Sequence, residues 1–273
     1  MATQPPTQYL QHSPQGKIAY DVQGSGPLVL LVPGMGELRS TYRFLVPALV
    51  AAGYTVATTD LRGHGDSDAT FRGYGDVETA GDIEGLLREL GRPAVVVGNS
   101  MAAGAAVIVA AEHPELVAGL VLIGPFVHQP STSAFTKLLF RILMARPWAA
   151  AAWKAYMPAL YAGTKPADFT DYRKAAIASM KQPGHERAFS LTTRTDHVRA
   201  GECLSNVVSP TLVVMGAKDP DFKSPEAEAD WIARTLRGSL VMVPDAGHYP
   251  QSQQPGITAA AITNFLGTLA DHD

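Results

Sequence analysis

Short apolar or β-branched runs recur along this chain: Leu28 to Val32, Thr55 to Thr59, Ala94 to Val97, Val117 to Ile123, Thr211 to Met215 and Leu240 to Val243. Continuous runs of this kind predict strands covered on both faces, as in a parallel sheet. Lys17 to Val22 predicts one further strand, turned by Gly24-Ser25-Gly26-Pro27. Between the strands lie stretches of helical length: Thr41 to Ala52, Glu78 to Leu90, Met101 to His113, Glu226 to Leu236 and Ile257 to Leu269. In the second of these, Ile83, Leu86, Leu87 and Leu90 fall on one face. Pro114 stops the third, because proline cannot continue a helix interior. Strands alternating with helices predict an α/β protein with a doubly wound, mostly parallel sheet and ligands at the carboxyl ends of its strands.

The alternation lapses once. From Phe126 to Ser205 the pattern is helical and Ala-rich, with Trp148, Trp153, Tyr156, Tyr161, Phe169 and Tyr172 and no convincing strand. The expected organisation is a core of residues 1–125 and 206–273 with a helical cap inserted at residues 126–205. An insertion leaving the strand-end side would lie over the site as a lid, and its aromatic residues would favour an apolar or aromatic substrate.

Composition adds mainly exclusions. The 273 residues are 46% hydrophobic and 17% charged, enough apolar material for one large core. A formal net charge of -3 supplies no basic footprint, so nucleic acid is not an expected partner. The single cysteine, Cys203, cannot form an internal disulfide and fits a reducing compartment. The polar, Pro-containing segment Met1 to Gly16 lacks the basic start and apolar core of a signal peptide, so a cytoplasmic location is expected. Glu112-His113-Pro114-Glu115 interrupts the most apolar region, leaving no bilayer-spanning run and no membrane partner to expect. The oligomeric state is not legible in the sequence.

The candidate chemistry centres on Gly98-Asn99-Ser100-Met101-Ala102, where the apolar strand runs directly into a helix. A turn this short, with small residues two positions either side of the serine, matches a nucleophile elbow. The competing reading makes Ser100 an ordinary helix N-cap. A serine hydroxyl needs an adjacent base, and the base an orienting carboxylate. Asp219 lies just past the Thr211 to Met215 strand, and His248 follows the strand ending at Val243. Both therefore belong to the sheet edge that carries Ser100. Asp221 is a rival acid one step farther from its strand. His64 reads as a loop-holding residue, and His128, His185 and His197 as solvated or hydrogen-bonded histidines. No cofactor is implied, and no metal, since the chain has neither H-E-x-x-H nor a Cys/His cluster.

Four stretches in order resemble the α/β-hydrolase superfamily: Val32-Pro33-Gly34-Met35-Gly36, Asp60-Leu61-Arg62-Gly63-His64-Gly65-Asp66-Ser67, Gly98-Asn99-Ser100-Met101, and Asp219 with Gly247-His248. The resemblance implies Ser100 as nucleophile, His248 as general base and acid, and Asp219 as orienting carboxylate. It implies the backbone N–H groups of Met35 and Met101 as the oxyanion hole. Pro33 stands where many relatives carry His, which would reshape a pocket wall. The implied activity is a serine hydrolase cleaving a small carboxylic ester through an acyl-enzyme. Asn99-Ser100-Met101 and Gly124-Pro125 also resemble carbon–carbon hydrolases of ring-fission products, although Tyr249 stands where those enzymes usually carry Trp. A lyase, a cyclase or a small-molecule receptor on the same fold is the third alternative. Serine at position 100 departs from the Asp used by haloalkane dehalogenases and epoxide hydrolases.

Overall fold

The computed structural model describes residues 6–129 and 133–270. Met1 to Pro5 of the polar N-terminal segment, residues 130–132 of the insertion and residues 271–273 of the core lie outside them.

Among the described residues one sheet carries every strand: β1 (Gln8–Ser13), β2 (Gly16–Gly24), β3 (Leu28–Val32), β4 (Thr55–Thr59), β5 (Ala94–Asn99), β6 (Val117–Ile123), β7 (Thr211–Gly216) and β8 (Ser239–Val243). Their order across the sheet is β1-β2-β4-β3-β5-β6-β7-β8. β1 with β2 and β2 with β4 pair antiparallel, and every later pair is parallel. β3, β4 and β5 are buried at every position, which is why they read as apolar or β-branched runs without polar alternation. β1 escaped the sequence reading, because a polar edge strand such as Gln8–Ser13 lacks such a run.

Helices α1 (Leu45–Ala51), α2 (Asp76–Leu90) and α3 (Met101–Glu112) alternate with these strands. The register of the parallel strands aligns their exits: Val32 pairs with Gly98, Asn99 with Ile123, and Gly216 with Val243. The loops after β3, β5, β7 and β8 therefore leave the same edge. After β3 the chain steps to β4 on one side and returns as β5 on the other, so the edge between β3 and β5 is a topological switch point.

Among the described residues five α-helices lie between β6 and β7: α4 (Ala134–Leu143), α5 (Ala149–Leu160), α6 (Phe169–Met180), α7 (His185–Thr192) and α8 (Val198–Cys203). No strand interrupts them among the described residues. Trp153, Met157, Tyr161, Phe169, Tyr172 and Phe189 form an apolar cluster of their own, which Tyr249 joins from the core side. α8 differs, since Ala200 and Cys203 pack within the main core. Burial pushes the Cys203 thiol pKa up, as suits a small buried hydrophobe. The chain closes with α9 (Pro225–Thr235), α10 (Pro250–Gln253) and α11 (Pro255–Ala270). Among the described residues no helix is long and apolar enough to cross a membrane.

Candidate active site

β5 passes into α3 through a single strained residue. Ser100 has φ 59° and ψ -124°, a conformation rare for a side-chain-bearing residue. Its N–H donates to the Ile123 carbonyl at 2.9 Å, and its side chain makes no capping bond to α3. The N-cap reading therefore fails, and the hydroxyl is left to the cavity that it lines. The turn closes only because its neighbours are small. A Cβ on Gly98 would sit 2.5 Å from the Ala102 carbonyl oxygen, and one on Gly34 would sit 2.9 Å from the Ser100 Cβ. Gly98→Ala is accordingly expected to cost about 1–3 kcal/mol of stability, read by chemical denaturation, because backbone must move to admit the methyl. An unchanged denaturation midpoint would contradict the crowding.

The second and third candidate residues are in contact. His248 Nδ1 lies 2.7 Å from Asp219 Oδ2, and both side chains are almost wholly buried. A carboxylate only accepts, so Nδ1 carries the proton and donates, leaving Nε2 for the cavity. Asp221 is the more distant acid, with Oδ2 3.7 Å from the same nitrogen, and it accepts the Tyr156 hydroxyl at 2.7 Å. Burial alone would lower the His248 pKa, but the facing Asp219, Asp221 and Glu37 carboxylates outweigh it and raise it to about 9. Two residues hold this pair in place. Gly124, at φ 50°, leaves space where a Cβ would approach His248 Nδ1 to 3.1 Å and Asp219 Oδ2 to 3.2 Å. Asn99 donates to the Ile123 carbonyl at 3.0 Å and to the His248 carbonyl at 3.3 Å, tying the histidine loop to the elbow. Ser100 and His248 share one cavity without a mutual hydrogen bond among the described residues, a looseness common before substrate binds.

The loop after β3 brings its backbone to the same place. Neither the Met35 nor the Met101 N–H donates to another described residue, so both are available as donors. His64 fixes the loop from below: its Nε2 accepts the Gly36 N–H at 3.0 Å, and its Nδ1 lies 3.1 Å from the Arg62 carbonyl. Burial lowers its pKa to about 4, so it stays neutral in this role. Arg39 anchors the far end of the loop. Its N–H meets Asp60 Oδ1 at 2.7 Å, and its guanidinium pairs with Asp60, with Asp21 at 2.6 Å and with Asp66 at 2.8 Å. Glu37 is fully buried under the loop and accepts the Tyr172 hydroxyl of α6 at 2.6 Å. Burial pushes its pKa up to about 7 against the lowering effects of that bond and of His248.

The cavity of about 620 Å³ is lined by Ser100, His248 and Met35 from the core, and by Phe140, Trp153 and Tyr156 from the inserted helices. The groups closest to a metal-ligand set among the described residues are Asp219, Asp221 and His248. Nδ1 of that histidine is already committed to Asp219, which is the use its geometry favours.

The structure thus brings Ser100, His248, Asp219 and Met35 to one rim, with Met101 heading α3 directly behind the serine. Asn99, Gly124, Glu37 and Arg39 were not singled out for their roles here. Asn99 and Glu37 did carry a signal, as polar residues inside otherwise small or apolar turns that a buried partner would have to satisfy.

Fold and site together define a hydrolase built on a doubly wound sheet. The chain belongs to the alpha/beta hydrolase family, whose model matches residues 29–261. Among its relatives, 2-(acetamidomethylene)succinate hydrolase of Mesorhizobium japonicum is 32% identical over 92% of this chain and 92% of its own length. Pimeloyl-[acyl-carrier protein] methyl ester esterase of Neisseria meningitidis is 28% identical, covering 89% of this chain and 78% of its own. A thermophilic esterase from Thermogutta terrifontis shares the fold, with a TM-score of 0.81 at 24% identity over 97% of this chain and 99% of that one.

Proposed function

We propose that the chain is a serine hydrolase that cleaves a small carboxylic ester through an acyl-enzyme on Ser100. The observation that carries this is the buried 2.7 Å bond between His248 and Asp219, opening onto the cavity that Ser100 also lines. In this reading His248 Nε2 takes the Ser100 proton as Oγ attacks the ester carbonyl. The Met35 and Met101 N–H groups stabilise the oxyanion, each donor worth about 3–4 kcal/mol of barrier. His248 then protonates the departing alcohol. A water, deprotonated by the same nitrogen, hydrolyses the acyl-enzyme and restores Ser100. The inserted helices act as a lid whose Phe140, Trp153 and Tyr156 face an apolar or aromatic part of the substrate. A fluorophosphonate probe with an aryl-ester panel tests the reading. Labelling confined to Ser100 is expected, and an unlabelled, inactive native protein would end it.

A second reading keeps the site and changes the bond. The Mesorhizobium relative is named for a substrate with an acetamido group, so an acyl–nitrogen bond is open to the same steps. Carbon–carbon cleavage is the further variant, and a vinylogous diketone acid run beside simple esters separates it.

The raised His248 pKa sets the pH profile. Only neutral imidazole accepts the serine proton, so kcat/KM should climb with pH toward a midpoint displaced from 6.5 toward about 9, falling about tenfold per unit below it. The stability linkage runs the other way. A folded pKa above the unfolded one stabilises the fold below about pH 6.5 and loses that contribution as pH rises through about 9. A kcat/KM profile flat from pH 6 to pH 9 would contradict the assignment of the base.

A further inference from the structure

Phe126 neighbours two imidazoles in this cavity that are held in the same way. Its ring centroid lies 6.0 Å from that of His248, and it stacks on His197 at 5.4 Å and 23°. His197 Nδ1 is 2.7 Å from Asp76 Oδ2, matching the bond between His248 and Asp219. Asp76 heads α2, and its other oxygen accepts the Thr195 hydroxyl at 3.1 Å, so the carboxylate is fixed at both oxygens. The Asp76 and His197 side chains are 2% and 8% exposed. With Nδ1 spent as a donor, Nε2 is the nitrogen left to face a ligand; it makes no hydrogen bond among the described residues, and it donates to an anion only in the imidazolium form, whose charge Asp76 balances. Residues of this kind are costly to bury unless something uses them, and the ester chemistry at Ser100 does not.

The cavity lining also carries cations. Arg141 of α4 and Arg194, just past α7, line the same cavity as His197, and neither forms an ion pair among the described residues. Two acids line the same cavity, and both are engaged. Asp196 Oδ1 accepts the Val198 N–H at 3.1 Å to start α8, and Asp221 holds Tyr156 on the His248 side.

We propose that His197, positioned by Asp76, forms with Arg141 and Arg194 an anion-recognition subsite, and that the ester hydrolysed here carries a carboxylate several bonds from its scissile carbonyl. The ester part of this statement rests on the hydrolase reading of Ser100, whereas the subsite does not. In a cavity that also holds Phe140, Trp153 and Tyr156, a charged end would choose among esters of similar length and orient the bound one.

Calorimetric titration of adipate into the wild-type protein, Arg141→Ala/Arg194→Ala and His197→Asn tests the subsite without catalysis. Asparagine keeps a donor for Asp76 and removes Nε2, and the arginines are exposed, so the double variant tests the subsite without opening the core. Each variant should weaken adipate binding about tenfold or more, as expected for losing a charged hydrogen-bond partner. In parallel, kcat/KM for mono-4-nitrophenyl adipate over that for 4-nitrophenyl hexanoate should exceed one in the wild type and fall by a similar factor in each variant. Equal adipate affinity in all three proteins, or a ratio the variants leave unmoved, overturns the subsite. Failure of Ser100 to label or turn over either ester overturns the hydrolase reading instead, and the titration still decides the subsite.

Discussion

Ser100→Ala should lower ester turnover about 10⁴-fold or more while leaving the protein folded. The size follows from what the hydroxyl alone supplies. Without Oγ no acyl-enzyme forms, and His248 with the Met35 and Met101 N–H groups retains only the smaller rate advantage of binding and oxyanion stabilisation. The intact fold follows from the local geometry. The Ser100 side chain makes no capping hydrogen bond, so alanine strands no buried partner, and an alanine Cβ occupies the place that the serine Cβ already takes beside Gly34. The thermal midpoint should therefore stay within a few degrees, and fluorophosphonate labelling should vanish. Turnover within tenfold of wild type, with the protein folded, would remove Ser100 from the mechanism.

The parts of this site that were legible from sequence are those built by local chain geometry. β3, β5, β6 and β7 announce themselves because both faces are covered, leaving no polar alternation to obscure them. Once the strands are placed, their exits place Met35, Ser100, Asp219 and His248 on one edge, because parallel strands end together. What stayed hidden depends on distant partners. Glu37 is a lone acid in a Gly-rich loop until Tyr172, from α6, closes on it at 2.6 Å. Asp76 and His197 lie 121 residues apart and share no motif, so only the packing of α8 beside α2 and α3 shows them as a pair. The edge strand β1 stayed hidden for a different reason: with one face open, its Leu10 is buried while Tyr9 is 53% exposed.

The choice between Asp219 and Asp221 gives the other large effect. Asp219→Asn should reduce kcat about 10⁴-fold, because an amide in place of the acceptor lets the imidazole take the tautomer with its proton on Nε2, facing a hydroxyl that needs a base there. Asp221→Asn should cost far less. Its carboxylate is 3.7 Å from Nδ1 against 2.7 Å for Asp219, and it already accepts the Tyr156 hydroxyl. The two variants also differ from a merely structural effect in their pH dependence. Asp219 is the foremost of the charges that hold the His248 pKa up against burial, so neutralising it must move the kcat/KM midpoint to lower pH, while the residual activity stays small. Equal losses in the two variants would assign the orienting role to the acidic pair, because each carboxylate would then be supporting the imidazole to the same degree. A large loss on Asp221→Asn with Asp219→Asn nearly silent would move the role to the more distant acid and require His248 to turn toward it during turnover.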